Sequence, residues 1–361
     1  MATQQHTIAV VTGTRAEFGL LLPVMRAIRA RRGLQLRTVV TGAHLISGTW
    51  RDVRDAGFEI DAKVRMQRKD TSGRVADVAA LGRGVRGLGE AFARLRPDVV
   101  LVLGDRIEAF AAASAASVGG LRVAHIHGGD RAEGVADEAM RHAVSKLAHL
   151  HFAATVQSRK RLVRMGEVEG CVYNVGSPAV DGLRDVEPAG DAPDVVVMQH
   201  PIGESDARER QWMRGTLRAT AKHERLVLAP NHDPGREGIM RALREVKVEA
   251  VTHLPRARFL AMLRGARAIV GNSSAGLIEA AALRTACVNV GPRQGGRERP
   301  GSVVDCEYGE QRVRAALRRA LAMDLRRMRH PYGDGCAGQR IAEVLGEVDL
   351  AGVPVRKQNA Y

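Results

Sequence analysis

The chain has 361 residues, 45% of them hydrophobic, 26% charged and 3% aromatic, with 39 glycines and a formal net charge of +15, a composition that suits a globular protein large enough for two domains. No run approaches the roughly 20 apolar residues of a membrane helix, and the opening MATQQHT lacks the basic-then-apolar layout of a secretion signal, so a cytoplasmic protein with no membrane partner is expected. The cations, mostly arginine, are dispersed and come with neither a recognition motif nor an aromatic platform, which argues against nucleic acid as a partner. Cys171, Cys287, Cys306 and Cys336 stand far apart with no CxxC pair, so no zinc site and no disulfide framework is indicated.

From the amino terminus, HTIAVVTGTRAEFGLLLPVMRAIRARRG reads as a β-branched strand, a glycine turn and an amphipathic helix, the first βα unit of a doubly wound sheet. LQLRTVVTG follows, then RPDVVLVLGD with a helix from Glu108, LRVAHIHGGD with a helix near Asp137 to His149, and the strands LHFAATV and CVYNVGS. RDVEPAGDAPD, residues 184–194, is polar and rich in Pro, Gly and Asp and reads as a linker. Beyond it DVVVMQH, RLVLAPNHD, VEAVTHL, ARAIVGNSS and TACVNVG restart the alternation, with helices expected around Ala207–Ala221, Gly238–Val246, Ala257–Gly265 and Gly276–Leu283. No repeat of 20 to 50 residues speaks for a solenoid or a propeller. The expectation is an α/β protein of two facing Rossmann-like halves, 1–184 and 194–337, whose ligand lies at the carboxyl ends of the strands in the cleft between them.

Most unusual polar residues fall just after an expected strand. Gly13-Thr14-Arg15 is not GxGxxG; it either holds a phosphate on turn N–H groups and the Arg15 fork or is an ordinary turn with a solvated arginine. Gly271-Asn272-Ser273-Ser274-Ala275-Gly276 suits a pyrophosphate, or provides an N-cap by Ser273 or Ser274. Glu279 beyond it can accept from ribose hydroxyls or favour the helix end. Asp105, Asp130, Asp137 and Glu138 come with His125, His127, Arg106, Arg141 and His142. Converging carboxylates of this kind can raise one pKa and allow acid/base work, the bland reading being caps and solvated loop acids. His125 and His127 alternate along a strand with no third ligand at zinc spacing, so no metal is expected. His200 closes DVVVMQ as a proton carrier or phosphate donor. Arg293, in GPRQGGRERPGS, sits in a basic loop that is either a lid or a solvated charge run. HExxH, GxSxG and P-loop motifs are absent.

Taken together, GTRAEFGLL, TGAHL, LVLGDR, HIHGGD, DEAMRHAVSKLAHLHF, NVGSPAVD, the histidine of VMQHP, GNSSAGLIEA, VNVGPRQGGR and PYGDG resemble the hydrolysing UDP-N-acetylglucosamine 2-epimerase family of the sialic-acid and legionaminic-acid pathways, from about Ile8 to Arg340. The resemblance implies the GT-B type of fold, a terminal segment 338–361 whose helix returns to the first domain, a homodimer or homotetramer, and no cofactor. It also implies a reaction that splits UDP from a UDP-sugar with inversion at C2, by elimination to a 2-acetamidoglucal followed by hydration to N-acetylmannosamine. By resemblance Asp105, Asp130, Asp137 and His200 carry the chemistry, with cationic and N–H donors assisting the UDP leaving group. Arg15, Ser273, Ser274 and Arg293 hold the nucleotide, Glu279 the ribose, and His44 and Arg141 line the pocket; Arg106, His127, Asn231, Asn272 and Gly276 complete the substrate contacts. Asp130 stands where the family usually has glutamate, His232 and Pro234 lie in a loop that usually reads NADTG, and Pro292 stands where aspartate is common. These departures admit a modified UDP- or GDP-sugar such as a 2,4-diacetamido-trideoxyhexose. A glycosyltransferase of the same fold is the other reading, and a nucleotide-sugar or RNA binder without turnover a third.

Overall fold

Val-, Ile- and Leu-rich runs buried on both faces are what a parallel sheet covered by helices requires, and the amino-terminal half supplies seven of them. In the computed structural model, which describes residues 5–69, 71, 73–132, 137–231, 233–252 and 254–361, these are β1 (His6–Thr12), β2 (Leu34–Thr41), β3 (Ala62–Val64), β4 (Val99–Leu103), β5 (Arg122–Ile126), β6 (Leu150–Ala153) and β7 (Val172–Asn174). They pair in parallel in the order β3-β2-β1-β4-β5-β6-β7. The period of two shows directly in the packing. Ile8, Val10, Val99 and Leu101 enter one core, Ala9, Val11, Val100 and Val102 the other.

Helices α1 (Arg15–Ala30), α2 (Ala43–Ser47), α3 (Trp50–Asp55), α4 (Arg74–Leu95), α5 (Ile107–Val118), α6 (Asp137–Leu147) and α7 (Val156–Arg164) connect these strands. Thr14 opens α1 with a capping box: its side chain accepts from the Glu17 N–H while Glu17 reaches back to the backbone. Buried alanines at 109, 111, 112, 113, 115 and 116 let α5 lie close on its sheet.

The second unit repeats the plan with β8 (Val195–Met198), β9 (Arg225–Val227), β10 (Ala268–Gly271), β11 (Ala286–Val290) and β12 (Val303–Cys306), ordered β12-β11-β10-β8-β9 and all parallel. Its helices are α8 (Asp206–Ala219), α9 (Arg236–Glu245), α10 (Arg256–Gly265), α11 (Glu279–Leu283) and α12 (Glu310–Leu321). Each sheet changes direction once, at β1/β4 in the first unit and β8/β10 in the second, and at such switch points the diverging connections open a crevice above the strand ends.

The first unit is Met1–Asp130, Asp137–Asp181 and Gly333–Tyr361; the second is Arg131–Ala136 with Gly182–Tyr332. The last helix, α13 (Ala337–Glu347), therefore belongs to the first unit. It packs on α1 so closely that a Cβ at Gly338 would lie 2.9 Å from the Pro23 carbonyl, and Ile341, Ala342 and Leu345 enter the first core.

Three expectations differ from what is seen. The stretch 184–194 lies wholly in the second unit; mostly exposed, it is tied there by the Ala189 N–H donating to the Ala261 carbonyl at 3.0 Å and by Gly265 leaving room for Ala192. Among its described residues VEAVTHL forms no strand, and Val251 makes an isolated bridge to Leu228. The helix expected from Gly276 is a 3-10 turn, Ser274–Gly276, followed by the short α11. No helix among the described residues is long and apolar enough to cross a membrane.

Candidate active site

At the β1/β4 switch point of the first unit the strand ends converge around a buried carboxylate. Glu108, in the first turn of α5 and 1% exposed, occupies the space that side chains would need at the ends of β1 and β2. A Cβ at Gly13 or at Gly42 would lie 2.5 Å from its Cγ. Gln67 Nε2 donates to Glu108 Oε1 at 2.9 Å, and the half-exposed Arg106 places Nε 3.5 Å from Oε2. Glu17 lies in the adjoining turn, where its Oε2 accepts from the Gly13 N–H at 2.6 Å and the Thr14 N–H at 3.3 Å. Burial, reinforced by the Glu108 charge and only partly offset by those N–H donors, pushes the Glu17 carboxyl up to about 8. His44 is buried with its ring nitrogens on Thr12 Oγ1 at 3.1 Å and Thr49 Oγ1 at 2.9 Å, and burial pulls it down to about 4. Arg15 pairs with Asp52 at 3.2 Å.

Asp105 follows β4 with its side chain 23% exposed, and it is held by an ion pair with Arg141 of α6, whose side chain is 3% exposed. Glu138, one turn earlier on α6, takes the same guanidinium at 2.7 Å, and His142 Nε2 lies 3.4 Å from its other oxygen. A buried arginine flanked by two partly accessible carboxylates fixes their direction while leaving them able to meet a ligand. Asp137 is the first residue of α6; its side chain lies outside the described residues.

Asp130 is arranged differently. Its Oδ2 meets His127 Nδ1 at 2.9 Å and its Oδ1 accepts from Ser158 Oγ at 2.7 Å, while Arg141 Nη1 donates to its main-chain oxygen at 3.2 Å. His127 places Nε2 2.9 Å from Ser177 Oγ. His127 is not part of β5: it stands just beyond the strand end with φ +65, so the expected alternation with His125 stops at Ile126. The structure thus brings Asp105, Arg141, Glu138 and the Asp130–His127–Ser177 series together, with Asp130 committed on both oxygens.

In the second unit the residues after β8 and β10 interlock. The His200 N–H donates to Asn272 Oδ1 at 2.7 Å and Asn272 Nδ2 donates to the His200 carbonyl at 2.8 Å. The exposed Asn231 gives its backbone N–H to His200 Nδ1 at 3.2 Å. Nδ1 therefore carries the lone pair and Nε2 the proton. Burial, with the Arg293 charge adding to it, pulls the His200 imidazole down to about 3, so it is a neutral donor near neutral pH. Arg293 Nη1 at 3.3 Å and Gln294 Nε2 at 2.9 Å both donate to the Asn272 carbonyl. Gly271, at φ +145, has no room for a Cβ, which would lie 2.1 Å from the Met198 carbonyl oxygen. Ser273 Oγ accepts from the Ala275 N–H at 3.3 Å as a cap, with Ser274 and Gly276 completing the 3-10 turn. Glu279 Oε1 accepts from Arg256 at 3.2 Å. His232 lies outside the described residues.

In the sequence Glu108 marks only a helix start, and Gln67, Ser177 and Gln294 do not stand out. The signal available for Glu108 was a glycine closing each of two neighbouring strands, Gly13 and Gly42, which marks close approach by something large. Among the described residues no group of three or more His, Cys, Asp or Glu is placed to hold a metal ion.

Residues 26–346 match the family model described as UDP-N-acetylglucosamine 2-epimerase. A Legionella pneumophila protein named UDP-N,N'-diacetylbacillosamine 2-epimerase (hydrolyzing) is 36% identical over 98% of this chain and 99% of its own length. A Neisseria meningitidis UDP-N-acetylglucosamine 2-epimerase is 28% identical over 97% of this chain and 98% of its own. In fold the chain is similar to the crystal structure of UDP-GlcNAc 2-epimerase from Neisseria meningitidis bound to UDP-GlcNAc, with TM-score 0.80 at 19% identity over 94% of this chain and 99% of that one.

Proposed function

The chain belongs to the UDP-N-acetylglucosamine 2-epimerase family, and from that premise we propose that it is a hydrolysing member, which releases UDP and the C2-inverted free sugar from a UDP-linked 2-acetamido sugar. The observation that carries this reading is the partly accessible Asp105 carboxylate, fixed at the end of β4 by the buried Arg141. Removing a proton from C2 needs a base of fixed direction that the substrate can reach.

In this reading Asp105, with Asp137, takes the C2 proton as the C1–O bond to UDP breaks, which leaves a double bond between C1 and C2. Water then gives its hydroxyl to C1, and a proton returns to C2 from the opposite face. Asp130 keeps His127 and Ser158 in place, and Arg141 and Glu138 orient Asp105. In the second unit the Nε2–H of His200, with Ser273, Ser274 and Arg293, is assigned to the diphosphate. Stabilising that leaving group is the electrophilic half of an elimination. Asn272 and Gly276 shape the same turn, Asn231 orients His200 through its backbone N–H, Glu279 is assigned to the ribose, and Arg15, His44 and Arg106 are assigned substrate contacts in the first unit. The reading includes a cytoplasmic homodimer or homotetramer, for which light scattering on the purified protein is the check.

The test is incubation with UDP-N-acetylglucosamine in D2O with EDTA present, followed by NMR. UDP release with one deuterium at C2 of N-acetylmannosamine is expected; retention of the C2 proton in the released or transferred sugar would instead speak for direct transfer. Asp105→Asn is expected to lower kcat by roughly 10²- to 10⁴-fold, the range for losing a positioned acid/base group. The higher identity to the Legionella relative than to the Neisseria one, 36% against 28%, favours a 2,4-diacetamido sugar, so UDP-N,N'-diacetylbacillosamine is assayed beside UDP-N-acetylglucosamine and the better kcat/KM decides.

A further inference from the structure

His125 is fully buried and has no part in the chemistry assigned above, yet it joins the two elements that carry it. Its Nε2 lies 2.7 Å from the carbonyl oxygen of Gly104, and its Nδ1 lies 3.1 Å from Ser145 Oγ on α6. A carbonyl only accepts, so Nε2 bears the proton and Nδ1 is an acceptor. The Ser145 hydroxyl, also fully buried, lies 3.1 Å from the Arg141 carbonyl as well, so its single proton is shared between two acceptors, His125 Nδ1 and that carbonyl. The Gly104 carbonyl belongs to the peptide that leads into Asp105, and Gly104 turns there with φ +77. A ring of contacts results: Asp105 to Arg141 by the ion pair, the Arg141 carbonyl and His125 Nδ1 both to the one Ser145 hydroxyl, and His125 to Gly104, the residue before Asp105. The ring is packed to its edge, since a Cβ at Gly128 would lie 3.0 Å from His125 Nδ1 and 3.1 Å from Ser145 Oγ.

We propose that His125 is a positioning residue, which sets the direction of the Asp105 carboxylate by tying the turn after β4 to the Arg141 turn of α6. The functional part of this inference rests on the 2-epimerase reading; the structural part does not. Besides the ion pair, the path through His125 links Asp105 to Arg141, and it is this path that holds the peptide aiming the carboxylate. Burial pulls the imidazole down to about 3, so it keeps one tautomer through the working pH range and acts as a fixed strut, not as a proton carrier. A small misplacement suffices to matter, because a shift of about 1 Å in a reacting group can cost on the order of 10²-fold in rate.

The experiment compares wild type, His125→Phe, His125→Gln and Ser145→Ala by steady-state kinetics and by crystal structure. Phe keeps the ring and removes both nitrogens; Gln keeps an N–H donor for Gly104. For His125→Phe, kcat is expected to fall by roughly 10- to 100-fold with KM within about 3-fold, and His125→Gln to recover most of the loss, in proportion to the misplacement. In the His125→Phe structure the Gly104 carbonyl turns away and the Asp105–Arg141 pair opens, and in His125→Gln both stay. Should His125→Phe fail to fold, Ser145→Ala, which removes a single hydroxyl, is judged by the same two readouts. An unchanged kcat with the Asp105–Arg141 pair intact overturns the proposal. If the wild type releases UDP from no sugar nucleotide, the functional reading falls alone, and the crystal structures still decide whether His125 holds the pair.

Discussion

The side-chain amide of Asn272 pairs with the main chain of His200 as a neighbouring strand would, accepting the His200 N–H at 2.7 Å and donating to the His200 carbonyl at 2.8 Å. Gly271, the last residue of β10, is still paired with Met198, and the amide continues the contact where the ladder of β8 and β10 ends. Asn272→Asp keeps the acceptor, loses the donor and buries a charge. It should destabilise the protein by about 2 to 3 kcal/mol, the cost of an unsatisfied buried group, and raise the KM for the nucleotide sugar by misplacing His200. Urea unfolding and initial rates on the same preparation check both halves; a stable variant with an unchanged KM would mean that the pairing is incidental.

Glu108 stands where two glycines have left room for it. Gly42 also has φ +62, a conformation that disfavours any Cβ. Gly42→Ala therefore meets a strained backbone and a 2.5 Å approach to a side chain whose Oε1 is held by Gln67. A loss of about 2 to 4 kcal/mol is expected from overpacking and strain together. Gly33→Ala, at φ +86 with nothing within 4 Å of the Cβ, shows the strain alone. The difference between the two melting shifts isolates the Glu108 contact, and equal shifts would dismiss it.

Glu17 gives the protein a pH dependence of defined sign. Its carboxyl titrates near 4.5 when exposed and at about 8 when folded, so between those values the folded state holds a proton that the unfolded chain has released. Stability from this group is complete below the lower value and is lost as the pH rises through the upper one. Glu17→Gln keeps an oxygen for the Gly13 and Thr14 N–H groups and removes the ionisation. Relative to wild type it should gain roughly 1 to 3 kcal/mol between pH 5 and pH 9; parallel stability curves across that range would show that Glu17 ionises normally.

The strands were legible because their apolar runs are long enough to bury both faces, and RPDVVLVLGD could hardly be anything but β4 followed by a turn. VEAVTHL misled because Val248, Ala250 and Val251 alternate only briefly, and Val251 finds a single bridge partner. Helices α4 and α12 left a weaker trace, since their outer faces carry many arginines and small residues between the buried positions. At the site, Asp105 and His200 could be located because each ends an apolar run. Arg141 and His127 are named with the acidic set, but how they pair is not legible: Arg141 reaches Asp105 across two βα connections, and the positive φ of His127, which turns it out of β5, has no signature in HIHGG. Glu108 reads in the sequence only as the place where a helix begins, and the packing of Gly13 and Gly42 around it gives it another role.

The carboxyl-terminal segment of the first unit is fastened by a buried charge. Glu167, its side chain fully buried, accepts from His151 Nε2 at 3.0 Å and pairs with Lys146 at 2.9 Å and with Lys357 of the tail. Lys357 also donates to the carbonyls of Ser145 at 3.1 Å and Lys146 at 2.9 Å, and the Ala360 N–H donates to Gly166 O at 2.8 Å. Burial alone would raise the Glu167 carboxyl, but the His151 and lysine donors outweigh it and hold it at about 2. Because the folded value is depressed, the stability it contributes is present above pH 4.5 and is lost as the pH falls towards 2. Lys357→Met removes one cation from a carboxylate that cannot reach water, and a cost of about 3 kcal/mol at pH 7 is expected. Glu167→Gln should flatten the acid limb of the stability curve, and Lys357→Met made in that background should cost much less than alone. Equal costs of Lys357→Met in the two backgrounds, measured by chemical unfolding, would mean that the tail is held by its backbone contacts and not by the charge.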